Sequence, residues 1–148
     1  MNGKQDGPRP LMVEIPILIQ PYHIDFANHV NNTVYVRWLE DLRMAMLRAH
    51  CPLRELMDRG LAPVVASAAI QYKKPLRLFD APVGRMWCAE MGRATMTVEA
   101  EIVVDGAVCT TAEQRLIMVN MTEHKPMRMP EGLRKAFAAA VNAERGDG

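Results

Sequence analysis

The pattern of apolar and polar positions predicts one long helix followed by a series of strands. Between Thr33 and His50, apolar residues recur every three to four positions, which is typical of a helix with one buried face. Between Thr95 and Val104, polar residues alternate with apolar ones, as in a strand with one face buried. The Asp105-Gly106 pair that follows favours a tight hairpin turn, so the run from Ala107 to Val119 is predicted to pair antiparallel with that strand.

Weaker patterns predict the other elements. The run from Leu11 to Gln20 is rich in Val, Ile and Leu and is predicted to be a strand, with Pro16 placing it at an edge or a bulge. Residues 1–10 are polar and rich in Gly and Pro, and are predicted to form a flexible tail. Four further elements are predicted: a short helix at 53–59, strands at 62–72 and 81–90, and a C-terminal helix opening at Pro130-Glu131. The order indicates one α+β domain over residues 11–145, with an antiparallel sheet packed on one apolar helix.

Composition and charge exclude several classes of protein. The 148 residues correspond to one domain, and 18 Lys plus Arg against 17 Asp plus Glu give a net charge of +1. This balance predicts no long-range attraction to nucleic acid or to an anionic membrane, so we expect neither as a partner. Three cysteines and four histidines lack metal-ligand spacing, so we expect reduced, buried thiols in a cytoplasmic protein, with no metal and no cofactor.

Polar residues are unusually dense just before the long helix. The start of a helix presents free N–H groups and a partial positive charge, which can polarise a carbonyl group. A carboxylate beside it can attack that carbonyl or activate a water molecule. Acyl chemistry is therefore one interpretation of this segment, and simple capping of the helix by Asp and Asn is the other. The candidate catalytic residues are Asp25, His29, Asn31, Asn32 and Thr33.

The same segment resembles a known family. The residues that carry the resemblance, at matching spacing, are Asp25, the run His29-Val30-Asn31-Asn32, Tyr35, Trp38, Glu40 and Arg43. This spacing resembles the hotdog-fold thioesterases, in the branch of 4-hydroxybenzoyl-CoA thioesterase and the short acyl-CoA thioesterases. Matches further along the chain extend the resemblance from about Glu14 to Leu133. Two positions depart from the family pattern: His23 stands where the family has an acidic residue, and Asn28 stands where it has Gly. Asn28 can replace Gly because Asn adopts a left-handed backbone conformation more readily than most residues.

The resemblance implies both a fold and a reaction. It implies a hotdog fold, in which a five-stranded antiparallel sheet wraps around one long central helix, and subunits that pair as a homodimer or homotetramer with sites at the interface. The implied reaction is hydrolysis of an acyl-CoA or acyl-carrier-protein thioester. Asp25 would act as nucleophile or general base, N–H groups near Asn32 and Thr33 would polarise the carbonyl, and His29 and Asn31 would orient Asp25 or the water.

Six further residues are candidates for substrate binding, each with a structural alternative. Tyr35 would otherwise pack against the sheet, and Glu40 would form an ion pair with Arg43 on one helix face. The basic residues would hold the phosphates of coenzyme A or else remain as solvated surface charge. The substrate-binding candidates are Tyr35, Glu40, Tyr72, Lys73, Lys74 and Arg93.

Two other functions stay open at this stage. One is a hotdog protein that binds acyl-CoA without hydrolysing it, and the other is a hotdog hydratase that adds water to an enoyl thioester. Retention of Asp25 and His29 counts against pure binding, which needs no acid. The His-Val-Asn-Asn run before the helix resembles the thioesterase branch more than the hydratase branch.

Overall fold

The computed structural model describes residues 7–146, which form one antiparallel sheet and three α-helices. A single 3₁₀ turn, Pro21–His23, precedes the long helix. The elements confirm the predicted α+β class, with five strands and one central helix. Their bounds are β1 Val13–Pro16, α1 Asn32–His50, α2 Leu53–Asp58, β2 Leu61–Tyr72, β3 Val83–Met91, β4 Thr95–Val104, β5 Ala107–Asn120 and α3 Glu131–Gly146.

The strands are arranged in the order β1-β3-β4-β5-β2, and every neighbouring pair is antiparallel. The predicted hairpin joins β4 to β5, with Asp105 and Gly106 at φ 49° and 80°, the left-handed backbone that such a turn needs. The strand predicted at 11–20 is shorter than expected. It pairs with β3 only as far as Pro16, at the edge of the sheet where a proline is tolerated. Ile17 then donates to Pro82 O at 2.9 Å before the chain leaves the sheet.

Helix α1 lies on one face of the sheet and forms the core with it. Leu42 and Met46 are fully buried and belong to one apolar cluster with Met86 and Val98 of the central strands. Gly84 on β3 allows this close approach, since a Cβ there would lie 3.0 Å from Ile17 Cδ1 and 3.2 Å from Leu42 Cδ1. The packing places the first residues of α1 at the end of the sheet where β2 finishes and β5 begins.

The segment before β1 also contacts the sheet. Pro10 O accepts a hydrogen bond from Cys88 N–H at 2.9 Å. The Arg9 guanidinium lies 4.0 Å from the ring centroid of Trp87, and its Nη1 lies 2.9 Å from the buried carboxylate of Glu101. The tail predicted at 1–10 therefore includes residues that pack on the fold, while residues 1–6 lie outside those described.

The cysteines occupy buried positions, as predicted, and none forms a disulfide. They are Cys51, Cys88 and Cys109. Burial raises the pKa of the Cys88 thiol to about 12. Within residues 7–146, none of the helices combines the length and the apolar character needed to cross a lipid bilayer.

Candidate active site

The loop before α1 folds into a small hairpin that fixes the backbone of Asp25. Ile24 and Val30 form an isolated antiparallel bridge. Asp25 N–H donates to His29 O at 2.9 Å, and Asn28 N–H donates to Asp25 O at 3.0 Å. Asn28 has φ 62°, so it adopts the left-handed conformation predicted for the residue that replaces Gly.

The carboxylate of Asp25 is half-buried and held from two sides. Its Oδ1 accepts a hydrogen bond from Ala27 N–H at 2.9 Å. Its Oδ2 lies 3.5 Å from Asn31 Nδ2, at the long limit of a hydrogen bond. Both donors restrict the rotation of the carboxylate while part of it stays accessible to solvent. The side chain is therefore oriented beside the start of α1 and can still reach a ligand.

The start of α1 has both a cap and a free donor. Asn31 is the N-cap residue, and its Oδ1 accepts from Thr33 N–H at 2.9 Å and from Thr33 Oγ1 at 2.7 Å. Asn32 N–H makes no hydrogen bond within residues 7–146. Both N–H groups were candidate oxyanion donors. The Thr33 N–H is already bonded to the cap residue Asn31, so the Asn32 N–H is the donor that remains available to a ligand.

A series of aromatic contacts runs behind this helix start. Tyr72, the last residue of β2, donates from its hydroxyl to Asn32 O at 3.1 Å. The rings of Tyr72 and Tyr35 meet edge to face with centroids 5.0 Å apart, and Tyr35 meets Trp38 in the same way at 5.1 Å. Tyr35 is buried, and burial raises its pKa. It therefore packs against its neighbours, as the structural alternative for this residue expected.

His23, which replaces an acidic residue of the family pattern, has a structural partner. Gln20 N–H donates to His23 Nδ1 at 2.9 Å, and the imidazole meets Trp38 edge to face at 5.8 Å. The His29 side chain is half-buried, and no hydrogen bond from its ring is present in the described part of the chain. The hydrogen bond between the two residues in the described part of the chain is therefore the one from Asp25 N–H to the His29 backbone carbonyl.

The predicted basic residues divide between the two ends of the sheet. Lys73 and Lys74 directly follow Tyr72, have exposed side chains and donate from their N–H groups to Cys109 O at 2.9 and 3.0 Å. Arg93 lies in the turn between β3 and β4, at the opposite end. A strand the length of β4 spans roughly 30 Å, so Arg93 and the lysines do not meet within one chain.

Arg93 belongs instead to a cluster that the sequence reasoning missed. With Arg128 and Arg134 it lines a cavity of about 590 Å³, which also contacts Phe137. No salt bridge to any of the three arginines occurs among the described residues. Arg128 lies between Pro126 and Pro130, in the part of the chain where the family resemblance continues to about Leu133, and this position was the signal in the sequence that could have drawn attention to it.

Glu40 lies in the third turn of α1. It is exposed, two turns or about 12 Å beyond the start of α1, and lines a groove of about 510 Å³ between α1 and β1. The ion pair with Arg43 is not found among the described residues. Arg43 donates to Gln114 Oε1 at 2.7 Å instead, and burial lowers its pKa. Glu40 thus shares its groove with His23 and Trp38 and forms no salt bridge with Arg43 in the described part of the chain.

No group of three or more His, Cys, Asp or Glu side chains in residues 7–146 is arranged to hold a metal ion. At the start of α1 the described residues bring together one oriented carboxylate, one free backbone donor and the positive end of a 19-residue helix.

Comparison with known proteins identifies the family of this chain. The chain is 28% identical over 118 residues to the Synechocystis protein sll0410, covering 78% of this chain and 71% of that protein. It is 31% identical over 68 residues to the long-chain acyl-CoA thioesterase FadM of Escherichia coli, covering 46% of this chain and 52% of that protein. The DHNA-CoA thioesterase of Staphylococcus aureus has a similar fold, with a TM-score of 0.85, 17% identity and coverage of 93% and 95% of the two chains.

The family model described as the thioesterase-like superfamily matches residues 19–137, which include the Asp25 loop, α1 and all strands except β1. The match confirms the resemblance on which the sequence interpretation rested, and this chain belongs to the thioesterase-like superfamily.

Proposed function

We propose that the protein hydrolyses acyl-CoA thioesters at the start of α1. The observation that carries this proposal is the juxtaposition of the held Asp25 carboxylate with the free N–H of Asn32. Family membership supports thioester hydrolysis. The names of two similar proteins, a long-chain acyl-CoA thioesterase and a DHNA-CoA thioesterase, support coenzyme A as the carrier of the acyl group.

In the proposed reaction the thioester oxygen accepts a hydrogen bond from Asn32 N–H. The positive end of α1 stabilises the negative charge that develops on this oxygen as the carbonyl is attacked. Asp25 either attacks the carbonyl carbon, giving an anhydride that water then hydrolyses, or removes a proton from the attacking water. The carbon–sulfur bond breaks, the acyl group leaves as a carboxylic acid and the sulfur takes up a proton as the free thiol. Asn31 holds Asp25, and His29 would orient the water.

A second copy of the chain would complete the site. Strand β2 is an edge strand of 12 residues with most of its side chains exposed, among them Val64 and Val65 at 42% each. Long exposed edges of this kind favour pairing with another strand. We propose a homodimer, able to assemble further into a homotetramer, in which two β2 strands pair antiparallel.

This pairing would bring the two groups of basic residues toward one substrate. In an antiparallel pair, the Tyr72 end of one β2 lies beside the Leu61 end of the other. Lys73 and Lys74 of one copy and Arg93 of the other would then approach the same ligand. Their charges suit the phosphates of coenzyme A, and an acyl-carrier-protein thioester remains the alternative substrate.

The decisive experiment measures thiol release from short-chain, long-chain and aromatic acyl-CoAs. Asp25→Asn preserves an oxygen that can accept from Ala27 N–H but removes the nucleophile or base, so we expect turnover to fall by at least about 100-fold. Glu14→Gln is the matched control, because this exposed residue lies on β1, at the edge of the sheet opposite β2, and we expect unchanged turnover. Full activity in the Asp25→Asn variant would refute the assignment. Loss of enoyl absorbance without thiol release would indicate a hydratase, and binding without either signal would indicate a non-hydrolytic protein.

A further inference from the structure

Tyr72 has a distinctive position relative to the proposed oxyanion donor. Its hydroxyl lies on the last residue of β2 and donates to the carbonyl oxygen of Asn32, the first residue of α1, at 3.1 Å. The N–H of the same residue is the donor assigned to the thioester oxygen. One hydrogen bond thus ties the residue that would polarise the substrate to the edge strand of the sheet.

We propose that Tyr72 is a positioning residue that anchors the Asn32 backbone, and with it Asn32 N–H, to the sheet, and the inference rests on the proposed function. The first turn of a helix frays, because its N–H groups lack partners within the helix. The Asn31 cap holds Thr33 N–H but leaves Asn32 N–H unbonded among the described residues. Asn32 N–H shares its peptide group with Asn31 O, which accepts from Val34 N–H at 2.9 Å. Asn32 O belongs to the next peptide group, and the Tyr72 hydrogen bond holds that group against the sheet, so the peptide groups on both sides of the Asn32 Cα are held.

The surroundings of Tyr72 hold its ring in place. Tyr35 meets it edge to face at 5.0 Å, and Tyr35 itself is 3% exposed and packed against Trp38. Tyr72 as a whole residue is 42% exposed. Because the hydroxyl is already committed to Asn32 O, Tyr72 acts on the reaction through Asn32 rather than through a hydrogen bond from its hydroxyl to the substrate.

The inference predicts a loss in turnover rather than in substrate affinity. An oxyanion donor acts most strongly in the transition state, so a displaced Asn32 N–H lowers kcat and leaves KM largely unchanged. Tyr72→Phe removes the hydroxyl and keeps the ring. We expect kcat to fall about 3-fold to 10-fold, the scale of one neutral hydrogen bond, with KM within about 2-fold of the wild-type value.

Tyr22→Phe supplies the matched control, since it also deletes one phenol hydroxyl. Tyr22 is 80% exposed, and its hydroxyl makes no hydrogen bond within the described chain. We expect its kcat and KM to equal those of the wild type. A kcat of Tyr72→Phe equal to that of Tyr22→Phe would overturn the inference, as would a rise in KM with unchanged kcat.

Amide hydrogen exchange tests the anchoring without relying on activity. In Tyr72→Phe, the amides of Thr33 to Tyr35 are expected to exchange about 3-fold to 10-fold faster, while amides near Met46 in the same helix keep their wild-type rates. Unchanged exchange in the first turn, or equal acceleration along all of α1, would overturn the inference. If the wild type hydrolyses no acyl-CoA, the proposed function fails and the exchange experiment alone decides whether Tyr72 anchors the helix start.

Discussion

The contact of Arg9 with Glu101 offers a quantitative test of how the segment before β1 stabilises the fold. Glu101 is 3% exposed, and Arg9 Nη1 lies 2.9 Å from its Oε1. Replacing Arg9 by Met keeps an apolar chain of similar length but removes the guanidinium. The buried carboxylate then retains Arg85, whose Nη1 lies 3.3 Å away. The variant also loses the cation–π contact between the Arg9 guanidinium and the Trp87 ring.

The expected cost follows from these contacts. Removing the partner of a buried ion costs about 3–5 kcal/mol when nothing else compensates it. Because Arg85 remains, we expect a loss of about 2–3 kcal/mol for Arg9→Met, of which roughly 0.5–1 kcal/mol is the cation–π contact with Trp87. For a chain of this length each kcal/mol lowers Tm by roughly 2–4 °C, so Tm should fall by about 5–10 °C.

Lys135→Met is the matched control, measured by urea and thermal unfolding. Lys135 Nζ lies 3.2 Å from Glu131 Oε1, but both side chains are 76% exposed, so the loss should stay below about 0.5 kcal/mol. In a Glu101→Gln background, where no buried charge needs a partner, Arg9→Met should cost only about 1 kcal/mol. Equal losses for Arg9→Met and Lys135→Met, or an unchanged cost of Arg9→Met beside Glu101→Gln, would refute the reasoning.

Three further predictions concern packing, reactivity and assembly. Gly84→Ala should lower the free energy of unfolding, measured by urea titration, by about 1–3 kcal/mol, because the new Cβ would crowd Ile17 and the fully buried Leu42. An unchanged free energy of unfolding would mean that α1 can shift away from β3. At pH 8 a thiol with a pKa of about 12 is ionised in roughly one molecule in ten thousand, so Cys88 should resist alkylation in the folded protein and react once urea unfolds it. Light scattering should give a mass at least twice the chain mass of 16.6 kDa, and Val65→Lys should lower that mass toward the monomer value. A Val65→Lys variant with the wild-type mass would exclude β2 as the interface.

The elements that the sequence predicted best are those whose pattern is local. Helix α1 starts one residue before its predicted first residue, and the β4–β5 hairpin forms at the Asp105-Gly106 pair. Both depend on periodicity and turn chemistry within a short stretch of chain. The first strand was predicted too long because an apolar run does not reveal where pairing stops. Only four residues of it pair with β3, and burial of Leu11 and Ile19 in the core accounts for much of the remaining apolar character.

The candidate site was predictable in its composition and less so in its geometry. The motif identified Asp25 and the helix start, yet the direction of each N–H depends on capping geometry, so the engagement of Thr33 and the freedom of Asn32 emerge only in three dimensions. The separation of Arg93 and Lys73 in the sequence also does not predict their distance in space, because the strand order decides which ends of the strands lie together. The burial of Glu101 could not be predicted either, because the alternation of polar and apolar residues along β4 places Glu101 on the face expected to be exposed.

The strand order has a consequence for how the chain is made. Among the described strands of one chain, β2 pairs only with β5, and Leu61 lies opposite Asn120, so synthesis must pass residue 120 before this pairing is complete. Contacts of such long sequence separation form slowly. Until then both edges of β2 are unpaired, and its apolar residues are open to other chains. Helix α1 and the β4–β5 hairpin involve close neighbours in sequence and can form early, so β2 is the segment most exposed to misassembly on the ribosome.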